Sequence, residues 1–245
     1  MLRQVLAETD RYANDALNRL ALALGNKGGR CHTLLGEGDV PHVLVDFMQR
    51  HAIDLAVIGT GSREGLEKIL LGSVSEAVIR EAPCPVLTVG PRVTMEAFVG
   101  FQRILCAVDF SPESLRAAEV AISIAEEYGS HLTLLHVVEQ VPGKSTGWTE
   151  KCEMRLREIV PPDLALPFRP KLAVENGRPG ECILHAAPDL SAEIIAMGVR
   201  GVGAIAHAAS HFGSIAHQVL SLAACPVLTA ATQHPKKQRY QREGL

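Results

Sequence analysis

The chain has 245 residues, 47% of them hydrophobic, with a formal net charge of −3, the profile of an ordinary globular protein long enough for two modest cores, with two domains as the default expectation. The near-neutral charge leaves no polyanion-binding footprint over the body of the chain, so no nucleic-acid partner is expected. No apolar run approaches the ~20 residues of a bilayer span, and Met1-Leu2-Arg3-Gln4 opens no charged-then-apolar leader, so the expectation is no membrane association and a cytoplasmic location.

Leu2, Val5, Leu6, Ala13, Ala16, Leu17, Leu20 and Leu24 share one helical stripe at the start of the chain. Residues 31–35 then read as a strand, 40–51 as a helix with Glu37 and Asp39 as caps, and 54–59 as a strand ending in Gly59. A helix opening at Gly72-Ser73, a Cys84-Pro85 break and a short apolar strand follow, and residues 90–101 make a linker. Residues 102–109 are a continuous apolar run of the kind expected for a strand buried on both faces. Ser111 is placed to cap a helix, Pro112 suits its first position, Glu113 its positive end, and Gly129 stops it. Further on come a strand over 132–138, a helix around 150–159, a strand over 171–175, a helix from Gly177-Arg178-Pro179-Gly180 to about residue 187, and a strand over 193–198. A helix from Gly213-Ser214, a Cys225-Pro226 break and a last strand complete the chain, before a basic tail (Lys236, Lys237, Arg239, Arg242) expected to be solvated and disordered. The six cysteines form no Cys-x-x-Cys pair and read as reduced, mostly packed thiols.

Residues 72–88 return as residues 213–229, each copy running from a Gly-Ser helix start through Cys-Pro to Val-Leu-Thr. The chain is therefore a tandem repeat, read as domains over residues 1–92 and 101–232 with a tail over 233–245. Nothing in the first copy matches residues 102–138 of the second, so the first domain is incomplete; a late start or a fragment would produce this, leaving the strand over 31–35 beside a gap. Strand and helix alternate throughout, which predicts an α/β fold with a parallel sheet covered on both faces. In such a sheet the strand ends at Asp109 and Gly198 flank the crevice where the strand order reverses and ligands bind. An acidic residue there can accept hydrogen bonds from a base or ribose, and the helix-opening amides of Gly213, Ser214 and Ile215 can donate to phosphate oxygens.

At these residues the chain resembles the universal stress protein family in its tandem form. The family's nucleotide signature is Gly, two residues, Gly, nine residues, Gly, then Ser or Thr. Arg103-Ile-Leu-Cys-Ala-Val-Asp109-Phe-Ser-Pro, Leu134-Leu-His-Val-Val138 and the Cys-Pro-Val-Leu-Thr endings look like it too. The resemblance implies flavodoxin-like (Rossmann-like) doubly wound units with strand order 3-2-1-4-5, dimers or an intramolecular pseudo-dimer joined through the last strand, and ATP or AMP binding, with Mg2+ as a companion of ATP. By position Asp109 and Val137 would face the adenosine, Gly198 and Gly201 would let the chain pass under the phosphates, and Gly213, Ser214 and Ile215 would hold phosphate oxygens. Gly59, Gly72 and Ser73 are the corresponding positions of the first repeat. There Ser62 replaces the second glycine and the aspartate that faces the base is absent, so that site is expected to be empty. In the second repeat eleven residues, not nine, separate Gly201 from Gly213.

No His/Cys/carboxylate set has metal-ligand spacing beyond the pair His207 and His211, and neither Ser73 nor Ser214 has a base and orienting acid in a recognisable arrangement, so neither a metal nor a catalytic residue is expected. The predicted function is a stress-response protein that binds adenine nucleotide in its second repeat and acts as a switch or partner-binding protein. A nucleotide-free interaction module and a slow ATP-hydrolysing enzyme are the alternatives.

Overall fold

The computed structural model describes residues 2–25, 30–60, 71–94, 100–139, 147–164, 166–199 and 214–231. The chain falls into two units, Met1–Val43 and Leu44–Leu245. In the first, α1 (Leu2–Gly25) is the predicted opening helix. Asp39 prepares the start of α2 (Val40–Arg50): its carboxylate accepts the His42 N–H at 3.3 Å and its carbonyl the Val43 N–H at 3.0 Å. The strand expected over residues 31–35 does not form; residues 30–37 carry no regular structure. The reason is a missing neighbour, because a strand exists only where another can complete its ladder.

The unit Leu44–Leu245 is built on one sheet. Its strands are β1 (Ala56–Gly59), β2 (Val86–Val89), β3 (Arg103–Ala107), β4 (His131–Val138), β5 (Lys171–Asn176), β6 (Ile194–Gly198) and β7 (Val227–Ala230), in the order β1-β2-β7-β6-β3-β4-β5. Within the second repeat this is the expected order 3-2-1-4-5, all parallel. The helices are α3 (Ser73–Glu81), α4 (Pro112–Tyr128), α5 (Trp148–Ile159), α6 (Pro179–Asp189) and α7 (Ser214–Leu222). The repeats meet at β2 and β7, the one antiparallel pair among the described residues, in the register Val86↔Thr229, Leu87↔Leu228 and Thr88↔Val227. That register places a local two-fold through the Leu87–Leu228 pair, so the matching ends of the two copies complete each other's ladders.

The core divides by sheet face and not by repeat. On one face Leu105, Ile195, Val219, Leu220 and Val227 of the second repeat join Val78, Ile79 and Val86 of the first in one cluster. On the other, Ile104, Cys106, Leu134, Ile194 and Leu228 pack against Ala118, Ala121, Ile122 and Ala125 of α4 and Leu156 of α5, with Leu87 reaching over from the first repeat. α4 follows its sequence signals closely: Ser111 accepts the Ser114 N–H at 3.2 Å, Pro112 opens the helix, and Gly129 ends it at φ 64°.

Candidate functional site

The second repeat brings three of the predicted residues to one end of the sheet. The ladder pairs Ala107 with both Leu135 and Met197, and two further steps along β4 set Asp109 level with Val137, while one step along β6 reaches Gly198. All three therefore lie where the order reverses from β4-β3 to β6-β7, which is the ligand crevice of a doubly wound sheet. α7 runs back between the parallel strands β6 and β7, so its first residue, Ser214, is at the same end, with the helix's positive pole. Ile215 is half-buried and packs into the core behind it. Gly201 and Gly213 lie outside the described residues, as does the Ser214 side chain.

Asp109 is exposed and its carboxylate is oriented. Oδ1 accepts the Ser111 N–H at 2.9 Å and the Ser111 hydroxyl at 2.5 Å. The Asp109 N–H in turn donates to Ser114 Oγ at 3.3 Å, and the Ser114 hydroxyl donates to the Ser111 carbonyl at 3.0 Å. Asp109 is thus tied to the first turn of α4. Phe110, between these anchors, has φ 63°, a left-handed conformation that costs a non-glycine residue about 1–2 kcal/mol. Its ring is held on two sides, 4.6 Å from the His136 ring and 3.8 Å below the Arg155 guanidinium. His136 is fixed by Nδ1, 2.7 Å from the Val108 carbonyl. The clamp holds the strained turn and so the direction of the Asp109 carboxylate. Sequence reasoning missed Phe110 and Arg155; a bulky residue between a strand-end Asp and a capping Ser was the available signal for the first, and Arg155 carried none.

Gly198 has a packing reason to be glycine. A Cβ there would stand 2.5 Å from the Glu113 carbonyl carbon and 2.8 Å from Ser114 Cα, so β6 and the first turn of α4 touch backbone to backbone. Val137 is half-buried, and its side chain joins the core on the α6 and α7 face.

The first repeat presents a different picture. Gly59, Gly72 and Ser73 are exposed, at the carboxyl end of β1 and the start of α3. Gly72 caps α3 in an extended conformation (φ −67°, ψ 148°) without a side-chain cap bond, and added Cβ atoms at Gly59 and Gly72 would meet nothing within 4 Å. Among the described residues β1 pairs with β2 alone. Among the described residues of this repeat no carboxylate stands on a neighbouring strand as Asp109 does.

All six cysteines are free. Burial pushes the Cys106 thiol up to about 12 and Cys225 to about 11, and it also raises Cys84 and Cys182, so none of these four is prepared as a nucleophile. Among the described residues no three His, Cys, Asp or Glu gather as a metal site, and no helix is long and apolar enough to cross a membrane. His207 and His211 lie outside the described residues.

The chain is similar to several known proteins. It is 43% identical to a universal stress protein of Methanocaldococcus jannaschii over 89 residues, 36% of this chain and 51% of that protein. A universal stress protein of Thermus aquaticus is 36% identical over 135 residues, 52% of this chain and 97% of its own length. A universal stress protein of Mycobacterium tuberculosis is 27% identical over 189 residues, 72% of this chain and 61% of that protein. The chain thus spans about half to three fifths of the length of two of these three relatives. The crystal structure of a universal stress protein from Archaeoglobus fulgidus superposes with a TM-score of 0.72 at 25% identity, covering 94% of this chain and 81% of that one. The family model described as the Universal stress protein family matches residues 2–90 and again 100–230, so two copies of the family account between them for nearly the whole length, and the chain belongs to the universal stress protein family.

Proposed function

We propose that the second repeat binds an adenine nucleotide at the carboxyl ends of β3, β4 and β6, and that the protein serves stress response as a nucleotide-dependent switch or partner-binding protein and not as an enzyme. The observation that carries this reading is the Asp109 carboxylate, held on the first turn of α4 by both donors of Ser111 at the point where the strand order reverses. A carboxylate fixed in this way suits a ribose or base edge, because its orientation entropy is spent before the ligand arrives. Val137 borders the adenosine, Gly198 and Gly201 carry the chain beneath the phosphates, and the amides of Gly213, Ser214 and Ile215 take phosphate oxygens at the positive end of α7. Mg2+ accompanies ATP through phosphate oxygens and water. The first repeat, without a counterpart to Asp109, is proposed to stay empty.

Melting with and without millimolar ATP and magnesium tests the reading. A ligand at about 100 times its dissociation constant adds roughly 2.7 kcal/mol, which raises the melting temperature by several degrees in a unit of this size. The rise should vanish in Asp109→Ala and in Gly213→Val, and persist in Gly72→Val of the first repeat. An unchanged melting temperature over a range of ATP concentrations would refute nucleotide binding. It would favour the nucleotide-free interaction module, a second reading that draws on Gly198, whose lack of a side chain the contact with α4 already explains. Repeated turnover of ATP that disappears in Asp109→Ala would instead mark a slow hydrolase.

A further inference from the structure

A cleft runs along the outer flank of α4, away from the crevice just described. It consists of two adjoining hollows of about 340 and 400 Å³ that share Pro85, Arg116 and Glu119. One wall is a single face of α4, from Pro112 at its start through Val120 and Ile124 to Tyr128 at its end. The opposite wall belongs to the first repeat, with Pro85 and Asp54. α4 packs over β6 and β7, and among the described residues of Leu44–Leu245 no helix of the first repeat is the counterpart of α4 that the local two-fold through Leu87 and Leu228 would set over β1 and β2. Val57, on the face of β1 opposite to Ala56 and Ile58, is accordingly 62% exposed.

The cleft is mainly apolar beside Val120 and Ile124, mixed where Arg116 and Glu119 line it beside Pro112, and carries three carboxylates. Asp54, Glu119 and Glu127 line it against one cation, Arg116, which is paired to Glu119 at 2.8 Å. Its upper end is formed by Ala230, the last residue of β7, and Ala231, the last described residue. The fourteen residues that follow Ala231 in the sequence include Lys236, Lys237, Arg239 and Arg242 with a single acid, Glu243. They therefore depart from one end of an acidic cleft carrying the complementary charge. Reach is sufficient: fourteen extended residues span up to ~46 Å, while α4, at seventeen residues, is ~25 Å long.

We propose that residues 232–245 occupy this cleft, covering the α4 flank of their own chain, with Lys236, Lys237 and Arg239 against Glu119, Glu127 and Asp54. Tyr240 and Leu245 supply apolar atoms for Val120 and Ile124. This assignment stands apart from nucleotide binding and survives its failure.

Carbodiimide cross-linking of the full chain, read by peptide mass spectrometry on an equal mixture of isotopically heavy and light protein, tests it. The expected links join Lys236 or Lys237 to Glu119, Glu127 or Asp54, heavy to heavy and light to light, and fade in 1 M salt, where the screening length is about 3 Å. In parallel, tryptic cutting after Lys236 and Lys237 should quicken about tenfold in Glu119→Gln/Glu127→Gln, as the loss of a few exposed ion pairs would give. Heavy-to-light links would overturn the proposal in favour of a second copy as occupant. Links from Glu119 or Glu127 to amines of residues 1–43 would overturn it in favour of the opening helix. An absence of tail links together with an unchanged cutting rate would leave the tail with no place in the cleft and refute the proposal outright.

Discussion

Gly198 and Gly59 hold the same position in the two repeats, at the end of the strand that precedes the Gly-Ser helix, and they meet opposite surroundings. Around Gly198 the backbone of Glu113 and Ser114 fills the volume a Cβ needs; around Gly59 that volume is open. The atoms at Gly198 belong to backbone in the first turn of a helix packed on the sheet and cannot swing aside, so the clash must be relieved by moving α4 or β6. Gly198→Ala should therefore cost about 3 kcal/mol, at the upper end of the range for overpacking, and lower the melting temperature by roughly 6 to 12 °C. Gly59, whose φ is not in the left-handed region, should accept alanine within about 0.5 kcal/mol. Thermal denaturation of the two variants side by side decides the matter, and equal effects would mean that α4 does not press on β6 as described. The contrast reaches the candidate site as well, because the first turn of α4 that Gly198 admits is the turn that holds Asp109.

At the scale of elements, the β2–β7 ladder joins the repeats and carries a small asymmetry that its near-symmetry exposes. Thr88 and Thr229 are equivalent, and both are 1% exposed. The Thr229 hydroxyl donates to the Val86 carbonyl at 3.2 Å, whereas the Thr88 hydroxyl finds no partner among the described residues. A buried hydroxyl without a partner is a net cost, and valine has nearly the same shape. Thr88→Val should accordingly stabilise the protein by about 1 kcal/mol and Thr229→Val should destabilise it by a similar amount; urea titration of the pair measures both, and a loss on Thr88→Val would show that its hydroxyl is satisfied. The elements themselves could be read from sequence wherever local chemistry and partners agree. Ser111, Pro112 and Gly129 announced both ends of α4, and the apolar run ahead of Asp109 announced β3. Residues 31–35 carried a strand-like pattern and formed none, since strand formation depends on a neighbour that no local pattern encodes. The same limit applies to the candidate site: the place of Asp109 at a strand end was readable from the apolar run before it, but the Arg155–Phe110–His136 clamp joins three elements through tertiary contacts, and spacing along the chain contains no trace of it.

For the molecule as a whole, the tandem repeat suggests two bodies on a string, whereas the packing joins the repeats in one core. Val78, Ile79 and Val86 of the first repeat share a cluster with Val219, Leu220 and Val227 of the second, and Leu87 is buried with Leu228 on the opposite face. The contact is continuous through the sheet from one face to the other, with β2 and β7 supplying the backbone pairing. Its likeness to a dimer joined through the last strand has a consequence: the covalent link between the repeats raises their effective concentration but is not what holds them together. Each fully buried aliphatic side chain is worth about 1.5–3 kcal/mol, so the residues named here outweigh the ~4–15 kcal/mol of freedom that separate pieces lose on association. Replacing residues 95–99 with a protease site and cutting it should therefore leave the pieces 1–94 and 100–245 co-migrating on gel filtration at micromolar concentration, with the melting temperature dependent on concentration only after the cut. Separate elution of two folded pieces would show instead that each repeat buries its own core and that the β2–β7 junction is incidental. Co-migration would place both repeats in one cooperative unit, in which a ligand at the carboxyl ends of β3 and β6 can influence the surface of the other repeat through packed side chains.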